Sequence, residues 1–211
     1  MSRDDRYIEG IYNYCDAWCE RCDYRRRCRN FAMQQQMISR VDQHDAAERE
    51  DAPEEPDAPP PPVDPKPPAR PIRLSGRRPP RTPVLATSGR YMDVVHWWLT
   101  KPQHARVPRA IREPVTVIGW YHMFVHVKLS RASAGRGRSS DSAGSAKVAL
   151  VAVEKSITAW SQVRDLRPKS AAYAARRIAD LTRLRGLIEA AFPKARLFIR
   201  PGFDTHEPDE A

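Results

Sequence analysis

"EPVTVIGWYHMFVHVKLSRA", residues 113–132, is the stretch whose reading decides the fold. Its valines and aromatics suit a strand. Its length and spacing argue for a helix: Val115, Ile118, His122, Val125 and Leu129 recur at intervals of three and four. Val117, Tyr121 and Phe124 widen that stripe into a face that has to be buried. Pro114 stands where a first-turn proline belongs. One broad apolar helical face requires other helices to cover it, and the neighbouring segments supply them.

Upstream, "GRYMDVVHWWLTKP" (89–102) places Met92, Val95, His96 and Leu99 on one side, and Pro102 stops it. Downstream, "SRASAGRGRSSDSAGS" (130–145) reads as a glycine–serine loop. "SAKVALVAVEKSITAWSQVRDL" (145–166) follows with a stripe of Ala146, Leu150, Val153, Ile157 and Trp160. A last helix opens at Ser170, a good N-cap, with Ala174, Ile178, Leu181, Leu184, Ile188 and Ala191 in line, and Pro193 ends it. The tail "KARLFIRPGFD" (194–204) alternates apolar and charged residues and is expected to lie extended over the helices. The fold class is therefore all-α: a bundle of about four helices across residues 88–204, with residues 205–211 as a flexible tail.

Residues 41–87 read as a disordered linker between this block and the N-terminal segment 1–40. Prolines crowd there and large apolar residues are nearly absent before Ile72. Such a stretch buries too little surface to offset chain entropy. It is acidic up to Asp64 and basic from Lys66 to Arg90.

The N-terminal segment holds every cysteine of the chain, in "YNYCDAWCERCDYRRRCRNF", residues 12–31. The spacing is Cys15-x3-Cys19-x2-Cys22-x5-Cys28. At about 100° per residue, a helix would put the first three on one face, continuing Ile8, Ile11 and Tyr12. Cys28 would then be brought back as the fourth ligand by a turn in "DYRRRC". Four thiols so close concentrate negative charge on ionisation, which a metal relieves by taking thiolates as ligands. Arg21, Arg25, Arg26, Arg27 and Arg29 would offset the remainder. Disulfides need an oxidising compartment and a better-placed geometry. The compact run favours an iron–sulfur (4Fe-4S) cluster, with zinc as the alternative.

Cys19, Cys22 and Cys28 resemble the last three ligands of the iron–sulfur staple in PD-(D/E)XK exonucleases. That family's acidic–lysine core has no counterpart here, so the resemblance implies a cluster and not nuclease activity. Cys15-x3-Cys19-x2-Cys22 is also similar to the motif of radical S-adenosylmethionine enzymes. There an aromatic residue precedes the third cysteine, where this chain has Arg21, and a β/α barrel follows, where this chain has helices. The run "NYCDAWCERC" (13–22) is similar to that of uncharacterised bacterial proteins with a helical C-terminal part; the resemblance implies no activity.

His122 and His126 lie one helical turn apart, a spacing that either packs as a hydrogen-bonded pair or binds metal, and His96 is near enough in sequence pattern to join them. Glu154 and Lys155 interrupt an apolar run and read as an edge salt bridge or as a polar pair with Lys128 or Lys147. The net charge of +10 leaves nucleic-acid binding open on charge alone. No nucleophile elbow, phosphate loop or dinucleotide fingerprint is present, so no catalytic residue is assigned. No apolar run of membrane-spanning length and no apolar leader occur, and the expected location is the cytoplasm. The expected function is a non-catalytic metal-binding protein with a protein partner. An iron–sulfur redox protein or sensor is the alternative, and a basic nucleic-acid-associated factor the third reading.

Overall fold

The computed structural model describes residues 6–51, 82–101, 107–135 and 140–205, with side chains at 46–51 excepted. Among these, every regular element is helical. The helices are α1 (Arg29–Asp51), α2 (Pro83–Thr100), α3 (Arg112–Ala134), α4 (Ser140–Leu166) and α5 (Ala171–Ala191). Helices α2 to α5 pack in a ring, each against the next and α5 back on α2.

The stripe of residues 118, 122, 125 and 129 is buried on α3, which makes 113–132 a helix; Val115 at its start is only half-buried. α4 is the central element. Ala146, Ala149, Leu150, Ala152, Val153, Ala159, Trp160 and Val163 are all buried, on more than one side of the helix. Its small residues let α3 and α5 approach together. Ser142 and Ser156 satisfy their buried hydroxyls on the Ala132 and Ala152 carbonyls. On α5, Ala174, Leu181, Leu184 and Ile188 are buried as expected, while Ala191 is exposed.

Several boundaries and faces differ from the sequence reading. α2 opens at Pro83, not Gly89, because Thr82 caps it: its Oγ1 accepts from Leu85 N at 3.4 Å, with proline in the first turn. Its buried side is Val84, Ser88, Tyr91, Val95 and Trp98, so the expected face of Met92, His96 and Leu99 is displaced toward solvent. α1 runs through to Asp51. Helix therefore enters both ends of the segment read as linker; its remainder, 52–81, lies outside the described residues, as do 206–211. α3 reaches Ala134 and α4 starts at Ser140, which shortens the expected loop.

The tail is not extended. Residues 193–197 and 201–205 form turns that bury Phe192, Ala195 and Gly202. Gly202 needs its left-handed backbone (φ 81°), and a Cβ there would stand 2.7 Å from Ile11 Cδ1. Gly202→Ala is expected to destabilise by about 1–2 kcal/mol from the backbone alone, plus the crowding. An unchanged thermal midpoint would refute that account.

Candidate metal centre

Residues 6–28 are not a helix, which corrects the expectation that the first three cysteines share one helical face. The segment makes three single 3-10 turns, Ile11–Tyr14, Cys19–Arg21 and Arg25–Arg27. Local chemistry explains the break. Gly10 takes a left-handed conformation (φ 72°), and so does Ala17 (φ 57°). Asp16 accepts from Trp18 N at 3.3 Å through Oδ1, the kind of side-chain-to-backbone bond that competes with helix. Cys15, Cys22 and Cys28 each follow one turn in extended backbone, and Cys19 opens the second. The result gathers residues that a straight helix would have spread along its axis.

All four cysteines are free thiols, half-buried, and line one small cavity of about 20 Å³ together with Ile11, Trp18, Phe31 and Phe203. This is room for about one water-sized group. As the side chains are placed, no three of the described His, Cys, Asp or Glu residues stand in ion-ligating geometry. A single ion therefore needs the thiols to turn inward; a four-iron cluster needs the walls to part as well. Cys15 Sγ, for instance, donates to its own Tyr12 carbonyl at 3.4 Å.

Burial pushes the Cys15, Cys19 and Cys22 thiols up, and neighbouring thiols add to the rise. They are protonated at neutral pH, so a bound metal has to displace their protons. Two cations face this charge. Arg25 lines the cavity. Lys128, from α3, is near enough for Cys15 to act on it, although burial holds its ammonium below the ordinary value. The expected polar pair of Glu154 with Lys128 or Lys147 does not form: Glu154 binds Arg196 at 2.7 Å, and Lys147 donates to the Arg196 carbonyl at 3.1 Å.

The residues between the cysteines attach the segment to the bundle. Tyr14 packs on Phe198 and against Gly144 of α4. Asp16 Oδ2 accepts from Tyr121 Oη at 2.5 Å and from Lys155 Nζ at 3.0 Å, and Lys155 reaches Tyr121 Oη at 3.0 Å. Burial alone would raise the Asp16 carboxyl, but these donors hold it below the usual carboxylate range. Burial and the Asp16 charge push Tyr121 up, so its hydroxyl stays a donor. Trp18 stacks on Trp120 at 4.8 Å and 16°, while Trp120 Nε1 donates to the Asp16 carbonyl at 3.0 Å. Arg21 lies over the Trp18 ring at 4.0 Å and pairs with Glu113. Cysteines and docking residues thus alternate along one short segment. Sequence reasoning named the cysteines and missed Tyr14, Asp16 and Trp18. The signal for them was faint: a turn-forming aspartate and two aromatics in a polar run.

A second set of contacts closes the segment from below. Ile8, Ile11 and Tyr24 form a satellite core with Phe203, and Cys22 and Cys28 sit at its edge. Tyr24 meets Phe203 edge-on at 5.1 Å.

The histidines separate. His126 Nδ1 lies 2.9 Å from Ser88 Oγ, and His122 Nδ1 lies 2.7 Å from the Gly119 carbonyl, so the two do not pair with each other. His122 instead stacks with His96, ring centroids 5.8 Å apart and planes 18° apart. Burial holds the His122 imidazole below its ordinary value, which leaves it neutral.

No family model, curated protein or solved structure matches this chain, so its function has to be read from the chemistry of the site itself. No helix among the described residues is long and apolar enough to cross a membrane.

Proposed function

We propose that Cys15, Cys19, Cys22 and Cys28 hold a thiolate-ligated metal centre that folds the N-terminal segment into a clamp on the helical bundle. The role is structural and non-catalytic. The observation that carries this reading is a mismatch between order and core. Residues 6–28 contain no α-helix, only three short 3-10 turns, and Ile8, Ile11 and Tyr24 are their only buried apolar residues. Tyr14, Asp16, Trp18 and Arg21 tie one side of the segment to the bundle, but so small a core of its own leaves the turns around the thiols in need of a staple. Four thiols around one cavity are the available staple, and a structural thiolate metal contributes on the order of 10 kcal/mol. The compact spacing puts an iron–sulfur cluster first, while the small cavity favours the alternative, a single zinc ion, which asks only that the thiols turn inward.

The same centre sets the start of α1, since Ala32 N bonds the Cys28 carbonyl at 3.1 Å. α1 then carries Met33, Met37, Ile38 and Val41 exposed, which supports a protein partner as the reader of that helix.

The test is anaerobic purification with iron, sulfide and zinc analysis, beside hydrogen exchange. Removing the metal is expected to abolish protection over residues 8–28 while α2–α5 stay helical. Cys19→Ser and Cys28→Ser should each lower metal content. Full occupancy in Cys28→Ser would sink the four-ligand centre. Metal-free protein with an ordered segment would sink the structural role.

A further inference from the structure

We propose a second metal site, in the seam between α2 and α3, where His96 and His122 bind a zinc-type divalent transition-metal ion through imidazole nitrogen. It does not depend on the cysteine centre. Three observations carry it. His122 is 7% exposed, yet its Nε2 is buried with no hydrogen-bond partner. Leaving a buried polar atom unsatisfied costs about 1–3 kcal/mol, so native structures rarely do so without a use for it.

The tautomer is also fixed. The partner of Nδ1 is the Gly119 carbonyl, which only accepts. Nδ1 therefore carries the proton and Nε2 presents its lone pair. A backbone carbonyl orienting the far nitrogen is the arrangement that ligating histidines use.

The third observation is the neighbour. His96 comes from a different helix and its ring lies 5.8 Å from that of His122. Two imidazoles sharing one tetrahedral ion at about 2.0–2.1 Å have centroids about 5 Å apart. An ion bound through imidazole nitrogen lies in the plane of each ring, so His96 has to turn out of its near-parallel stack on His122 as well as approach it; His96 is exposed, and its side chain has that freedom. Imidazole nitrogen suits zinc, nickel and copper rather than magnesium or calcium. No third His, Cys, Asp or Glu joins the pair among the described residues. Water completes the shell from the His96 side, which makes the site exchangeable rather than permanent.

The probe is Zn²⁺, added to full-length protein whose cysteine centre is already loaded. Equilibrium dialysis counts added equivalents, and imidazole nitrogen resonances report which ring responds. One added equivalent is expected, with the His122 Nε2 resonance moving on binding. His96→Gln changes an exposed residue and should leave the fold intact while weakening that equivalent by more than about tenfold, since outer-shell changes alone cost about 10–100-fold. His122→Gln should do the same, and His126→Gln should retain it. No added equivalent in the native protein, undiminished binding in His96→Gln, or an unmoved His122 resonance would overturn the site.

Discussion

Gly144→Val is expected to release the N-terminal segment from the bundle while leaving α2–α5 helical. A Cβ at position 144 would overlap Tyr14 Cε1 and Cδ1 at the ring edge and stand 2.8 Å from Phe198 Cζ. Removing glycine from a helix interior ordinarily helps: alanine is better there by about 1 kcal/mol, and valine gains somewhat less. Overpacking a filled contact costs about 1–3 kcal/mol, and here the intruding atom meets two rings pressed against backbone. Crowding wins. Both rings are half-buried and can yield only by swinging off α4, which is the release expected. Hydrogen exchange decides it. Amides of residues 8–28 should lose protection, and those of α3 and α5 should keep theirs. Native protection over 8–28 in the variant would mean that the Tyr14–Gly144 contact does not hold the segment.

Trp160→Ala carries the largest expected loss of stability. The side chain is fully buried and lies against Trp98 at 5.1 Å and Tyr173 at 5.7 Å. Truncating such a residue costs about 3–5 kcal/mol. Its Nε1 also donates to Tyr91 Oη at 3.0 Å, inside the core. Losing that donor takes away a partner of a buried hydroxyl, for about a further 1–3 kcal/mol. Against a typical domain stability of about 5–15 kcal/mol, the variant should sit at the edge of unfolding at room temperature. Trp160→Phe keeps most of the ring volume and loses the hydrogen bond, so its urea midpoint should fall between the two. An alanine midpoint near the native value would show that α4 is not the centre of the bundle.

The helices were legible because their cause is local. On α3 the 3-4 spacing alone placed Ile118, His122, Val125 and Leu129 inward, and all four are buried. Where a local cue was present but outweighed, the reading failed for a stated reason. Thr82-Pro83 is a helix start, yet it sits at the end of a proline-rich run whose composition argued against any helix. The cysteine segment failed differently. Its spacing fits a helical face, but spacing shows which residues would align if a helix formed, not whether the segment can bury enough to form one. Asp16 and the left-handed Gly10 and Ala17 settled that locally.

By itself, the sequence determined that the C-terminal block is helical and that four thiols lie together near the N-terminus, because periodicity and proximity along the chain both survive folding. Tertiary structure alone decided how those thiols are held. The latch joins Asp16 to Tyr121 and Lys155, separated by 105 and 139 residues. In sequence each member has a bland reading, as a turn aspartate, a core tyrosine and an edge lysine. The same is true of His96 and His122, whose stacking depends on how α2 crosses α3. Contacts of that kind are fixed by which helix faces must be covered, and a face is covered only once the whole ring of helices has closed.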